Sequence, residues 1–179
     1  MATGIERRTH HYFLEHDLFL NTHFDRALRW LPYAGVFAAH LCGAKTRSGW
    51  CKQVLTGTAI ATVRYFVVDT IKNVSTERRP APYSDKRSFP SGHTASSFAS
   101  AQFMHQELKD AMPLFGCTGY LCGTVVAVLR VMKNRHWLKD VMAGAALGYL
   151  SAKLVSKAIE RLYSKIESRR NSTKTIGAA

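Results

Sequence analysis

Residues 111–129 read AMPLFGCTGYLCGTVVAVL and carry no charge, while residues 130–140, RVMKNRHWLKD, are crowded with cations. The first stretch approaches the roughly 20 apolar residues that a bilayer core needs. The second sets His136 four residues before Asp140, a spacing that brings two side chains together on one face of a helix. An apolar span that empties directly into a charged, histidine-bearing edge predicts a helix that crosses a membrane and ends in titratable groups.

Four more helical segments surround this one. They cover roughly Phe24–Ala44, Trp50–Ile71, His93–Leu108 and a stretch from Trp137 past Leu154, with the apolar span itself at Met112–Leu129. Only that span is clean by hydropathy, because Arg64 and Asp69 interrupt the second segment and Ser, Ala and Gln dilute the third. Small residues recur where bundled membrane helices approach closely, at Gly119 and Gly123 and at Gly144 and Gly148. Apolar Tyr12, Phe13, Phe19 and Leu20 among charges predict an interfacial helix over about 5–23. Lys153, Lys157, Arg161, Lys165 and Arg169 fall every four residues, with Leu154, Val155, Ile159, Leu162 and Ile166 between them, which gives an amphipathic helix with a cationic stripe. The expectation is an all-α, multi-helix transmembrane bundle. It has about five spanning helices and an N-terminal interfacial helix, with the active site at one membrane face. Residues 1–179 form a single domain, divided into an interfacial segment (1–23), a helical bundle (24–156) and a basic amphipathic tail (157–179).

The chain has 179 residues and a formal net charge of +13. Such a charge suits nucleic acid or an anionic membrane surface, but no aromatic-interleaved basic groove appears, so nucleic acid is not expected as a partner. The cysteines, Cys42, Cys51, Cys117 and Cys122, show neither zinc spacing nor a C-x-x-C pair. Cys42, Cys117 and Cys122 lie in apolar runs and read as small buried side chains. The charged start, with Glu6, Arg7 and Arg8, does not resemble a secretory signal.

Three clusters carry the chemistry: Lys72 with Arg79-Pro80, Pro90-Ser91-Gly92-His93, and Arg130 with His136 and Asp140. Each alone has an ordinary structural explanation, such as a snorkelling lysine, a helix start or an incidental polar pair. Together they supply Lys72, Arg79 and Arg130 as fixed cations, and the guanidinium fork matches phosphate geometry. Ser91, Gly92 and His93 open a helix whose free amides can face an oxyanion, and Gly92 lets the backbone approach closely. A carboxylate one turn from His136 fixes the tautomer and frees the other ring nitrogen for attack. His93 is then the proton donor to the leaving oxygen. The expected course is a phosphohistidine on His136, hydrolysed by water. A metal mechanism fits poorly, because residues 72–92 and 130–136 are crowded with Lys and Arg, a field that attracts phosphate and repels cations. No cofactor is expected.

These three clusters, in order and spacing, resemble the type 2 phosphatidic acid phosphatase superfamily, which also includes vanadium haloperoxidases and bacterial acid phosphatases. The resemblance covers about residues 20–160. It implies the same roles: Lys72, Arg79, Ser91, Gly92 and Arg130 holding phosphate, His93 as acid, His136 as nucleophile and Asp140 as its orienter. Leu129 departs from the Ser that usually precedes the third-motif arginine. Asn134-Arg135-His136-Trp137-Leu138, with Asp140 and Gly144, is similar to small bacterial inner-membrane members.

The catalytic segments must share one membrane side, which leaves the Lys45–Lys52 loop, Lys109 and the basic tail on the other. By the positive-inside rule that other side is cytoplasmic, and the active site faces outward, into the periplasm of a bacterium. The expected substrate is a lipid phosphate or diphosphate: an isoprenyl diphosphate, phosphatidylglycerophosphate, phosphatidic acid or a phosphorylated lipid A. No obligatory protein partner is inferred. The competing readings are a vanadate-dependent haloperoxidase, a non-catalytic phospholipid-binding module and a soluble acid phosphatase.

Overall fold

The computed structural model describes residues 24–83 and 85–176, all of it helix and loop with no strand among the described residues. The helices are α1 (Phe24–Leu28), α2 (Leu31–Leu41), α3 (Trp50–Val74), α4 (Gly92–Leu108), α5 (Pro113–Met132) and α6 (Leu138–Ile176). The expected interfacial helix at 5–23 lies outside the described residues. The single helix expected over Phe24–Ala44 is two, because the chain breaks at Arg29 and Trp30 before Pro32, which is tolerated only in a first turn. α2 ends where Gly43 takes φ +81, and its amide bonds to His40 while that of Ala44 reaches back to Ala39, a Schellman closure.

α4 is the axis of the bundle, touching α2, α3, α5 and α6. Its polar and small residues are what permit this. A Cβ on Gly148 of α6 would stand 2.1 Å from the Ala95 carbonyl oxygen, and one on Gly119 of α5 would stand 2.9 Å from the Ala101 Cα. Both glycines therefore mark backbones in direct contact, the close approach expected from their spacing. Val36, Ile60, Phe103, Met104 and Leu108 form the apolar core at the α2–α3–α4 crossing.

Outside this core the bundle is apolar. Leu114, Phe66 and Leu121 are among its most exposed side chains, with Leu121 68% exposed. α3 and α5 are each long and apolar enough to cross a membrane. Hydropathy over the sequence picked out only α5, but α3 accommodates Arg64 and Asp69 within an otherwise apolar length. The cysteine expectation is corrected on the same ground: Cys42 and Cys117 are exposed and Cys122 only half-buried. In a bundle whose outer face is apolar, an apolar run does not imply burial among protein groups.

α6 runs unbroken from Leu138 to Ile176, about 58 Å at 1.5 Å per residue, so it continues well beyond a ~30 Å hydrocarbon core. Its distal half meets the α2–α3 loop at the bundle end opposite the candidate site. There Arg47 pairs with Glu160 at 3.2 Å, and the Lys52 ammonium lies 5.3 Å from the Tyr163 ring centre.

Candidate active site

Three segments meet at one end of the bundle: the last turn of α3 with the loop to Pro90, the start of α4, and the α5–α6 junction. Asp140 ties them together. It is 0% exposed. One carboxylate oxygen, Oδ2, accepts from the Ser88 hydroxyl at 2.5 Å and from the Trp137 amide at 2.9 Å. Its carbonyl accepts the Ser91 amide at 2.9 Å, which fastens α4 to α6.

Asp140 and His136 were expected on one helix face, but His136 precedes α6. Asp140 is the third residue of that helix, and its carboxylate reaches back to the amide of Trp137 at the helix cap, the backward half of a capping box. The same oxygen stands 3.6 Å from His136 Nδ1. That distance allows charge pairing and exceeds a hydrogen bond. His136 is 2% exposed and its Nδ1 has no hydrogen-bond partner among the described residues. Burial lowers its pKa below the usual histidine value. Arg130 and Lys72 push in the same direction and Asp140 opposes them. The ring is therefore neutral near pH 7, as a nucleophile must be.

The turn that aims His136 is built by Asn134, at φ 51 in the left-handed region that asparagine tolerates. Its amide bonds to Val131 and that of Arg135 to Arg130, a Schellman closure of α5. The helix thus stops at the point where Arg130 and His136 can serve one site.

The two arginines share an arrangement. Arg130 Nη1 donates to Asp25 at 3.0 Å, and Lys133 holds the other oxygen of Asp25 at 2.7 Å. Arg79 Nη2 is 3.2 Å from Asp85. Each is held at one edge by a carboxylate, and each has a buried Nε without a partner among the described residues. Asp25 is only 3% exposed. Burial raises its pKa, but hydrogen bonds from Lys133 and Arg130 outweigh that and hold it below the usual carboxylate range. Asp85 is also lowered, first by the Arg87 amide and then by Arg79 and Lys72.

Lys72, Gly92 and His93 line one cavity of about 290 Å³, together with Arg29, Arg64 and Ser96. Lys72 Nζ donates to the Arg87 carbonyl at 2.8 Å. His93 lies within electrostatic reach of Arg130 and His136, and Lys72 within reach of Arg79 and Asp140. All eight predicted residues thus lie at this end, although only Lys72, Gly92 and His93 of them line the cavity. Ser91 differs in detail: its amide serves Asp140 and its hydroxyl meets Thr94 at 2.9 Å, leaving the Gly92 and His93 amides as the open helix start. Among the described residues no three His, Cys, Asp or Glu side chains gather to hold a metal ion.

A second, apolar cavity of about 410 Å³ lies between α2 and α3 and shares Trp30 with the first. Sequence reasoning missed Asp25, Ser88 and Arg29, whose parts come from contacts distant in the chain. The Asn134 turn did leave a signal, an asparagine just after an apolar helix.

Residues 37–164 match the profile of the PAP2 superfamily. A stretch of 67 residues is 42% identical to a lipid A 1-phosphatase from Porphyromonas gingivalis, covering 37% of this chain and 15% of that relative. In fold the chain is similar to LpxE from Aquifex aeolicus, with a TM-score of 0.58 at 18% identity over 86% of this chain and 93% of that one. It is also similar to a transmembrane PAP2-type phosphatidylglycerolphosphate phosphatase from Bacillus subtilis, with a TM-score of 0.52 at 19% identity over 87% and 96%.

Proposed function

The chain belongs to the PAP2 superfamily, and we propose that it is a membrane-embedded, metal-independent lipid phosphatase working through a phosphohistidine on His136. The observation that carries this reading is the buried His136 ring beside an Asp140 carboxylate already fixed by Ser88 and Trp137. With Nδ1 turned to Asp140, Nε2 attacks phosphorus in line. The P–N bond forms as the bond to the lipid oxygen breaks, and His93 gives that oxygen its proton. Water then attacks the phosphohistidine, His93 takes the water's proton, and the P–N bond breaks to release phosphate. Lys72, Arg79, Arg130 and the Gly92 and His93 amides stabilise charge on the transferring group, with Ser91 shaping the helix start. The 3.6 Å separation shortens to a hydrogen bond as cation develops on the ring.

The apolar exterior and the two span-length helices support a bilayer setting. α4 and the first half of α6 add two further spans, and the 11-residue α2, about 16 Å long, enters the bilayer beside them to make about five within one domain. α4 escapes a hydropathy test because its surroundings are protein rather than lipid. The basic α2–α3 loop and the distal half of α6 meet at the end away from the site, which supports a plasma-membrane protein with that end in the cytoplasm and catalysis outside. The substrate is a phosphomonoester or diphosphate of a lipid, and a lipid A-type glycolipid phosphate is the first to test, given the local similarity to a lipid A 1-phosphatase.

The test is phosphate release by purified protein from a panel of lipid phosphates and diphosphates. Wild type turns over at least one and keeps its rate in EDTA. His136→Ala, with melting behaviour intact, loses on the order of 10⁴-fold or more. An unchanged rate in His136→Ala, or loss of activity in EDTA, would overturn the reading.

A further inference from the structure

The cations of the three motifs do not exhaust those facing the site. Arg29 and Arg64 line the same 290 Å³ cavity as Lys72 and His93. Arg64 sits in the middle of α3, eight residues and therefore about 12 Å before Lys72 along the helix, on the same face. A guanidinium at that depth of a span-length helix is costly and marks a functional position unless it is paired. Among the described residues neither Arg29 nor Arg64 has an ion pair; the Arg29 guanidinium lies 5.3 Å from the Trp30 ring centre, its buried Nε has no hydrogen-bond partner among those residues, and its backbone is pinned to α4 by the Ser100 hydroxyl at 2.9 Å. Two acidic groups are close, and both are engaged: Asp69, which itself lines the cavity, by Arg87 at 2.6 Å, and Asp25 by Arg130 and Lys133.

Along α3 the order is decisive. The apolar cavity takes its lining from residues 54 to 62 of that helix, Arg64 follows, and Lys72 stands at the catalytic end. Arg29 lies within electrostatic reach of both Arg64 and His93, so it bridges the two levels. A molecule lying in this path meets the catalytic cations first, a second cation pair next, and an apolar wall last.

Resting on the phosphatase reading above, we infer that Arg29 and Arg64 form a second anion subsite between the catalytic cradle and the apolar cavity, and that the substrate class it selects is a lipid diphosphate. The distal phosphate is the one attacked. The proximal phosphate, which stays on the lipid, rests on Arg29 and Arg64, and the chain continues into the apolar cavity. A lipid monophosphate puts its only phosphate in the cradle and leaves the arginine pair without an anion.

The experiment compares kcat/KM for a prenyl diphosphate and the prenyl monophosphate of the same chain length. Wild type favours the diphosphate. Arg64→Gln and Arg29→Gln each lower the diphosphate-to-monophosphate ratio at least tenfold, and Arg64→Lys, which keeps the charge, retains most of it. Equal loss on both substrates, or an unchanged ratio in both Gln variants, would overturn the subsite. Should the Gln variants fail to fold, wild type alone decides the matter: a prenyl methylenediphosphonate inhibits at least tenfold more tightly than the matching monophosphonate, and equal inhibition would overturn the inference. A wild type that releases phosphate from neither prenyl substrate but does so from another lipid phosphate overturns the subsite and leaves the phosphatase reading standing, whereas release from no lipid phosphate or diphosphate refutes that reading itself.

Discussion

α4 and α5 are neighbours that reverse the usual relation between polarity and burial. α4 buries Thr94, Ser96, Ser97, Ser100, Gln102 and Glu107, whereas α5 turns Leu114, Leu121, Val125 and Val128 outward. What α5 buries is Gly116, Gly119, Gly123, Val126 and, at the end that meets the candidate site, Arg130. In water this would be an inverted protein, with its polar groups inside and its apolar groups out. In a bilayer it is consistent: the lipid-facing helix is apolar, and the helix enclosed by protein is free to be small and polar. The same division places the candidate site. His93 opens the enclosed helix and Arg130 closes the outward one, so two helices of opposite character bring their working ends to one face.

This contrast breaks first where enclosed backbones touch. Gly148→Leu drives a side chain into the Ala95 carbonyl and should abolish folded, monodisperse protein; normal size-exclusion behaviour with full activity would contradict the close packing of α4 on α6. The polar end of α5 comes next. Asp25→Asn removes the charge that holds Arg130, and activity should fall roughly 10- to 100-fold, in line with the loss of a charge-assisted contact of about 1.5–3 kcal/mol. A melting temperature near wild type would separate this loss from unfolding, and unchanged kinetics would show that Arg130 does not need the clamp.

A smaller effect reads the burial of His136. Its pKa is lowered on folding, so the unfolded chain binds more protons wherever pH lies below the ordinary value of about 6.5. Stability due to this group is therefore full above that value and declines as pH falls from about 6.5 toward the lower folded pKa. The melting temperature should drop between pH 7 and pH 5, and drop less in His136→Gln; equal drops would mean that the ring is not held neutral. The smallest effect belongs to the apolar face. Leu121→Ala on the outward side of α5 should change turnover less than about twofold in a lipid nanodisc, and a large loss would show that this face packs against something other than lipid.

The helices were legible in the sequence because periodicity fixes them, and Lys72, Arg79, His93, Arg130, His136 and Asp140 stood out as candidates because three reactive clusters in that order and spacing are specific jointly, where each alone is not. The Gly148 and Gly119 contacts were legible for the same reason, as small residues at a fixed spacing. Asp25 was not, since a single carboxylate early in the chain gives no sign that it will meet Arg130. Ser88 is equally silent, a loop hydroxyl that gains its part only when the loop lies over α6. The split at Arg29 was hidden by an apolar pattern that continues through Trp30 into α2, and with it the arginine that faces the cavity. The outward placement of Cys42 and Cys117 depends on knowing which side of each helix meets lipid, a property of packing rather than of composition.

The role given to His136 is tested most directly by the stereochemical course at phosphorus, measured with a lipid phosphate made chiral by oxygen isotopes and a nucleophile that leaves the product chiral. Two successive in-line displacements, on and off the imidazole, give net retention of configuration, which is the expected result. Net inversion would mean that the acceptor attacks the substrate directly, and would contradict a phosphohistidine at this site.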